Sequence, residues 1–254
     1  MLHEILLSLT GHPSPLLRST GATGAHDNAL DDSRVISPPE RALVASLAHL
    51  SDLHVKLMSF TAQIATSHPS IICRAVAAAI DSIHLAAFQR KVLEVEDAIL
   101  RKDAGLVGAY NIVPLTAIVT EFGPWTRRME WLWALVQYML GPGRSMEDPR
   151  AGSGATCTGS LIVNRLRSEL QTGYKDLEEV AKSLVAVAEV AWLKQVSAWI
   201  LYGKLPNFGA DDFFVQRSSG GEEVREESSG TWVLWTELIT GRSMSATARC
   251  CPRL

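Results

Sequence analysis

Several residue pairs in this chain begin a pattern for chemistry, and each pattern stops before it is complete. Asp211-Asp212 starts like the Asp-Asp-x-x-Asp/Glu run that holds magnesium over a diphosphate, which needs several carboxylates to bind the ions. The next positions are Phe213, Phe214 and Val215, so the third carboxylate is missing. The plainer expectation is an acidic helix start, favoured by the helix dipole, with Phe213 and Phe214 packed inward. His3-Glu4 opens a zinc-peptidase H-E-x-x-H, but residue 7 is Leu and the second ligand at i+4 is absent. His49 and His54 are five apart, point to different helix faces and read as surface polar residues.

Cys157 lies within the glycine-rich run Gly152 to Gly159, which has the composition of a phosphate-cradling loop without its Lys or a preceding strand. A helix start beside Cys157 would lower its pKa, yet no His follows it to act as base. Cys251-Pro252-Arg253-Leu254 has the outline of a prenylation box, with Pro and Arg where aliphatic residues belong. Arg127, Arg128 and Arg144 are the only cations near Trp125, Trp131 and Trp133, too few for a nucleic-acid stacking groove. No metal or other cofactor is expected. An all-α magnesium enzyme built on Asp211 and Asp212 is the remote alternative.

The elements that would position these residues read as helices. Of 254 residues, 47% are hydrophobic and 20% charged, with net charge −3, as in an ordinary soluble protein without a nucleic-acid face. Four irregularly spaced cysteines are no disulfide framework, and the start has neither the basic region nor the cleavage site of a signal peptide. The longest apolar run, Ser183 to Gly203, carries Glu189, Lys194 and Gln195, so it is expected to be the central helix of a bundle and not a membrane span.

Residues 1–9 suit a short helix, and Leu16 to Ser37 a loop. Ser37-Pro38-Pro39-Glu40 forms a capping box before a stripe through Leu43, Leu47, Leu50, Leu57 and Ile64. After Ser67-His68-Pro69 a second stripe runs Val76, Ile80, Ile83, Ala87, then Phe88, Val92, Val95 and Ile99. Its shift at 87–88 is expected from a straight helix drifting against a heptad. Gly123-Pro124 is expected to punctuate before the stripe Trp125, Met129, Leu132, Val136 and Met139. Trp131 and Trp133 fall off that stripe, so they either pack on a second helix or form an exposed patch suited to partner contact. A short helix follows from Leu161. Asp176 with Glu179 is expected to cap the last long helix, which buries Trp199 and ends at Gly203. Six helices and an all-α fold result. Arg217 to Gly230 lacks core-forming residues, so residues 217–254 are expected to be a disordered tail in which Trp232 to Trp235 stands apart.

Two stretches carry a family likeness. Lys194 to Leu205, with Trp199 and Gly203, followed by Phe213 and Phe214, resembles the Trp-Gly-Phe signature of the amino-terminal module of gamma-tubulin complex components. Met1 to Pro13 resembles the opening of that family, most closely its fourth-component branch, which includes spindle pole body components. The resemblance covers residues 1–216 and implies a truncated member. It implies a non-enzymatic scaffold of helical bundles that supports microtubule nucleation through lateral contacts with other components of the complex. It also implies a cytoplasmic, cytoskeletal location at a microtubule-organising centre or spindle pole body. The family's second module, which binds gamma-tubulin, is expected to be absent here, and neither nucleic acid nor membrane is expected as partner. Trp131 and Trp133 are candidate partner residues; Trp199, Gly203, Phe213 and Phe214 are structural. A tethering or adaptor subunit of another large complex is the nearer alternative.

Overall fold

Apolar stripes at three-and-four spacing become six helices in the computed structural model, which describes residues 2–12, 37–108, 112–141, 157–171, 173–206, 208–209, 212–213, 215–217 and 232–234. They are α1 (Leu2–Leu9), α2 (Pro38–Ser67), α3 (Ile71–Leu100), α4 (Leu115–Leu140), α5 (Gly159–Glu169) and α6 (Lys175–Tyr202). Two three-residue strands follow, β1 (Val215–Arg217) and β2 (Trp232–Leu234), paired antiparallel with Gln216 opposite Val233. The fold is all-α in its body. The pairing joins Trp232–Leu234, expected to stand apart, to the end of the segment that follows α6. The rest of the expected tail, like the loop from residue 16, lies outside the described residues.

Local signals account for several boundaries. The Ser37 amide and hydroxyl both donate to Glu40 Oε2, at 3.1 and 2.9 Å, as a capping box requires. Gly203 closes α6 at φ +62°, donating its N–H to the Trp199 carbonyl at 2.8 Å, so the left-handed turn is one that Gly adopts without strain.

Four expectations need correction. The α4 helix runs straight through Gly123-Pro124. Both residues are exposed, so the carbonyl that Pro leaves unbonded faces solvent, while buried Phe122 and Met129 hold the helix from the other side. The register shift in α3 is not gradual drift. A π-helical turn at Ile80–Leu85 absorbs it in one step, moving Leu85 and Phe88 inward and leaving Ile83 exposed. The α6 helix begins at Lys175 after Tyr174, with no side-chain cap, and Asp176 sits inside its first turn. Finally, α6 is not a central helix. Its most apolar 18-residue stretch is only 22% buried, and Ile200, Leu201 and Tyr202 are exposed. Both α3 and α6 are long and apolar enough to cross a membrane by length and composition alone.

Two compact units divide the chain: Met1–Gln63 with Ala77–Tyr138, and Ile64–Val76 with Met139–Leu254. In the first, Ser8 and Ser51 exchange a buried hydrogen bond between α1 and α2. Phe88 of α3 meets His54 at 5.0 Å and both Phe122 and Trp125 of α4. His54 is therefore buried, not surface-exposed: it sits on the inner face of α2 with Leu50 and Leu57. His49 is exposed and meets Glu130 at 3.2 Å. In the second unit α5 packs along α6, burying Ile162, Val163 and Leu166 and, on α6, Leu177, Ala181, Leu184 and Ala188.

Candidate functional site

The densest polar cluster lies inside the second unit, where the segment after α6 folds back over the start of α3. Gly209 makes that return possible. Its φ is +68°, and an added Cβ would lie 3.1 Å from Ile71 Cγ1 and 3.2 Å from the Ile71 amide nitrogen, so a side chain there is both strained and crowded. Beside it the Arg74 guanidinium sits 5.1 Å over the Phe208 ring and donates through Nε to the Ala65 carbonyl at 2.7 Å. Phe213, 1% exposed, then meets Trp199 edge-on at 5.8 Å, closing the latch on α6.

Asp212 is the centre of this cluster, at 4% exposure. Its Oδ2 accepts from the Ser70 hydroxyl at 2.6 Å and, weakly, from the Ile72 amide at 3.4 Å. Its Oδ1 accepts from the Gly159 amide at 2.7 Å. Ser70 Oγ in turn accepts from the Cys73 amide at 3.1 Å. One carboxylate thus satisfies exposed donors at the N-termini of two helices, α3 and α5, and places its negative charge at the positive end of both dipoles. Gly159 is needed for the approach: a Cβ there would lie 2.6 Å from Ile72 Cδ1 and 3.0 Å from Asp212 Cγ. His68 secures the turn from the other side. Its Nδ1 accepts from the Ser70 amide at 3.1 Å, which leaves Nε2–H to donate to the Met139 carbonyl at 3.1 Å.

Cys73 and Cys157 are free and buried next to this node. The Cys73 thiol donates to the Cys157 carbonyl at 3.8 Å, and the neighbouring Cys157 thiol, with burial, pushes Cys73 far above the usual thiol range. The same pairing lowers Cys157, against burial and the nearby Asp212 charge. No general base is in contact with either sulfur among the hydrogen bonds of the described residues, which run to Cys157 and Thr158 carbonyls.

The arrangement binds helices together. Asp212 has its oxygens taken by three donors, and Asp211 lies outside the described residues. Among the described residues no group of three His, Cys, Asp or Glu side chains is placed to hold a metal. Asp212 was expected at a helix start of its own, but it caps two other helices. Ser70 before Ile71 is a local helix-start signal, its Oγ accepting from the Cys73 amide. The Asp212 partner of Ser70 and Gly159, the Met139 partner of His68 and the packing of Gly209 on Ile71 are remote in the chain.

The other named residues fall as follows. Trp199 is half-buried and Gly203 exposed at the helix end; Phe214 lies outside the described residues. Trp131 and Trp133 sit on α4 in the first unit, both half-buried, and the Trp133 ring lies 5.3 Å from Phe60 of α2. Trp133 therefore packs on a second helix.

One family profile, described as gamma tubulin complex component N-terminal, matches residues 2–243. No curated protein matches the chain.

Proposed function

Because this chain belongs to the gamma-tubulin complex component family, through the family's N-terminal domain, we propose that it is a scaffold subunit that supports microtubule nucleation at a microtubule-organising centre. The observation that carries the reading is the family match across nearly the whole chain. The helical fold is compatible with it, and the buried polar cluster is spent on joining helices. Members of the family are structural subunits and generally not enzymes. We assign the chain to the fourth-component branch, at the spindle pole body, on its opening residues Met1 to Pro13. We place the boundary of its helical module near residue 216.

Partners on this reading are other gamma-tubulin complex components, contacted laterally. Trp131 and Trp133 are the named anchors, because both remain partly exposed and specific interfaces concentrate their energy in a few aromatic residues. The test is affinity capture of the tagged chain from cell extract, read by quantitative mass spectrometry. Enrichment of gamma-tubulin complex components is expected. Enrichment of a vesicle-tethering complex in their place would overturn the assignment. Unchanged recovery with Trp131→Ala and Trp133→Ala combined would remove those two residues from the interface and leave the family role standing.

A further inference from the structure

The α6 helix is packed by α5 on one side, and its other side forms the wall of a groove of about 670 Å³ in the second unit. Ile71 and Ala75 of α3, Val187, Val190 and Ala198 of α6, and Pro206 after it supply the apolar surface. Residues 187, 190, 191, 194 and 198 recur at three-and-four spacing, so they form one stripe along the helix. At 1.5 Å per residue the stripe is about 16 Å long, three turns of a second helix laid alongside.

Two features give the groove a chemical polarity. Lys194 and Lys204 both line it, and neither has a carboxylate partner among the described residues. Gln195 also lines the groove, at 8% exposure, and neither Oε1 nor Nε2 has a hydrogen-bond partner. A buried carboxamide without partners is costly and needs an explanation.

We infer that this groove docks an amphipathic helix of another protein, with an apolar face of about three turns bordered by acidic residues that meet Lys194 and Lys204. Charge decides the occupant. A second copy of this chain joined through the same face would bring two more lysines to a groove that offers no acid. The inference does not rest on the lateral contacts proposed above, whose anchors lie in the other unit.

The test uses the full purified chain and fluorescently labelled synthetic peptides of 'three-turn' amphipathic design. One carries Leu on its apolar face, bordered by Glu; a second replaces Glu with Lys; a third scrambles the first. Saturable binding of the acidic peptide is expected by fluorescence anisotropy, with no binding of the scrambled one. Lys194→Glu with Lys204→Glu should weaken the acidic peptide about tenfold or more and favour the basic one. Val190→Glu, at a half-exposed position where folding is unaffected by a surface charge, should abolish both. Circular dichroism melts check that each variant is folded. Equal binding of acidic and basic peptides overturns the inference, as does a folded Val190→Glu that binds like the parent. So would self-association in sedimentation that Val190→Glu dissolves, or binding to anionic vesicles with no binding of the acidic peptide.

Discussion

Removing the Asp212 carboxylate should loosen two helix starts at once, and the structure gives the size of the effect. Asp212→Ala leaves the Gly159 amide and the Ser70 hydroxyl without the acceptor they reach at 2.7 and 2.6 Å. Each buried donor stranded in this way costs about 1–3 kcal/mol. The Ile72 contact, at 3.4 Å, adds little. Loss of a negative charge at two helix N-termini adds about 0.3–1 kcal/mol for each. Relief from burying a charge works in the opposite direction, so the expected loss is about 3–5 kcal/mol. Asp212→Asn keeps the shape and one acceptor. Its amide can serve Gly159 through oxygen while its NH2 turns to Ser70, so it should lose only about half as much. Urea unfolding at neutral pH, followed by circular dichroism, compares the three proteins. Hydrogen exchange read by mass spectrometry locates the effect, which should centre on the first turns of α3 and α5 and on 208–213. An Asp212→Ala protein as stable as the parent, or one loosened equally in the first unit, would refute the reasoning.

Gly159→Ala should destabilise by about 1–3 kcal/mol through overpacking, because its Cβ would lie 2.6 Å from Ile72 Cδ1; a shift in the urea midpoint without a change in slope checks it. Phe213→Ala, at a fully buried ring, should cost about 3–5 kcal/mol, and Trp199→Ala less, because Trp199 is half-buried; thermal melts of the two rank them. Burial lowers the pKa of His54, with the Leu9 carbonyl and Asp81 offsetting part of the effect, and burial, then Arg128, lowers that of His84. Both stay neutral in the fold where the unfolded chain takes up protons. Their stability contribution is therefore complete above pH 6.5 and falls as the pH drops below it, until each folded-state pKa is passed. The slope of each group has an upper limit of about 1.4 kcal/mol per pH unit, and His54→Leu should flatten the dependence in urea titrations between neutral and acidic pH.

Helix type and most helix ends were determined by the sequence alone. Leu47, Leu50, Leu57 and Ile64 recur with the period of one helix face, and all four are buried. Ser37 with Glu40 and Gly203 mark ends through contacts made within four residues, so local chemistry suffices. The latch was legible as far as Trp199 and Phe213, two aromatics flanking a helix-ending Gly. What joins the latch to the bundle was not. Asp212 meets Ser70 across 142 positions and Gly159 across 53, and nothing near Asp212 in the chain announces either partner. Gly123-Pro124 has the local marks of a break, yet burial on one side and solvent on the other keep α4 continuous. The π turn of α3 arises because Phe88 must reach Phe122 and Trp125, a demand set by α4. The exposed face of α6 depends on which side α5 covers. Periodicity says that a helix has an apolar face, whereas only the packed chain says what that face meets.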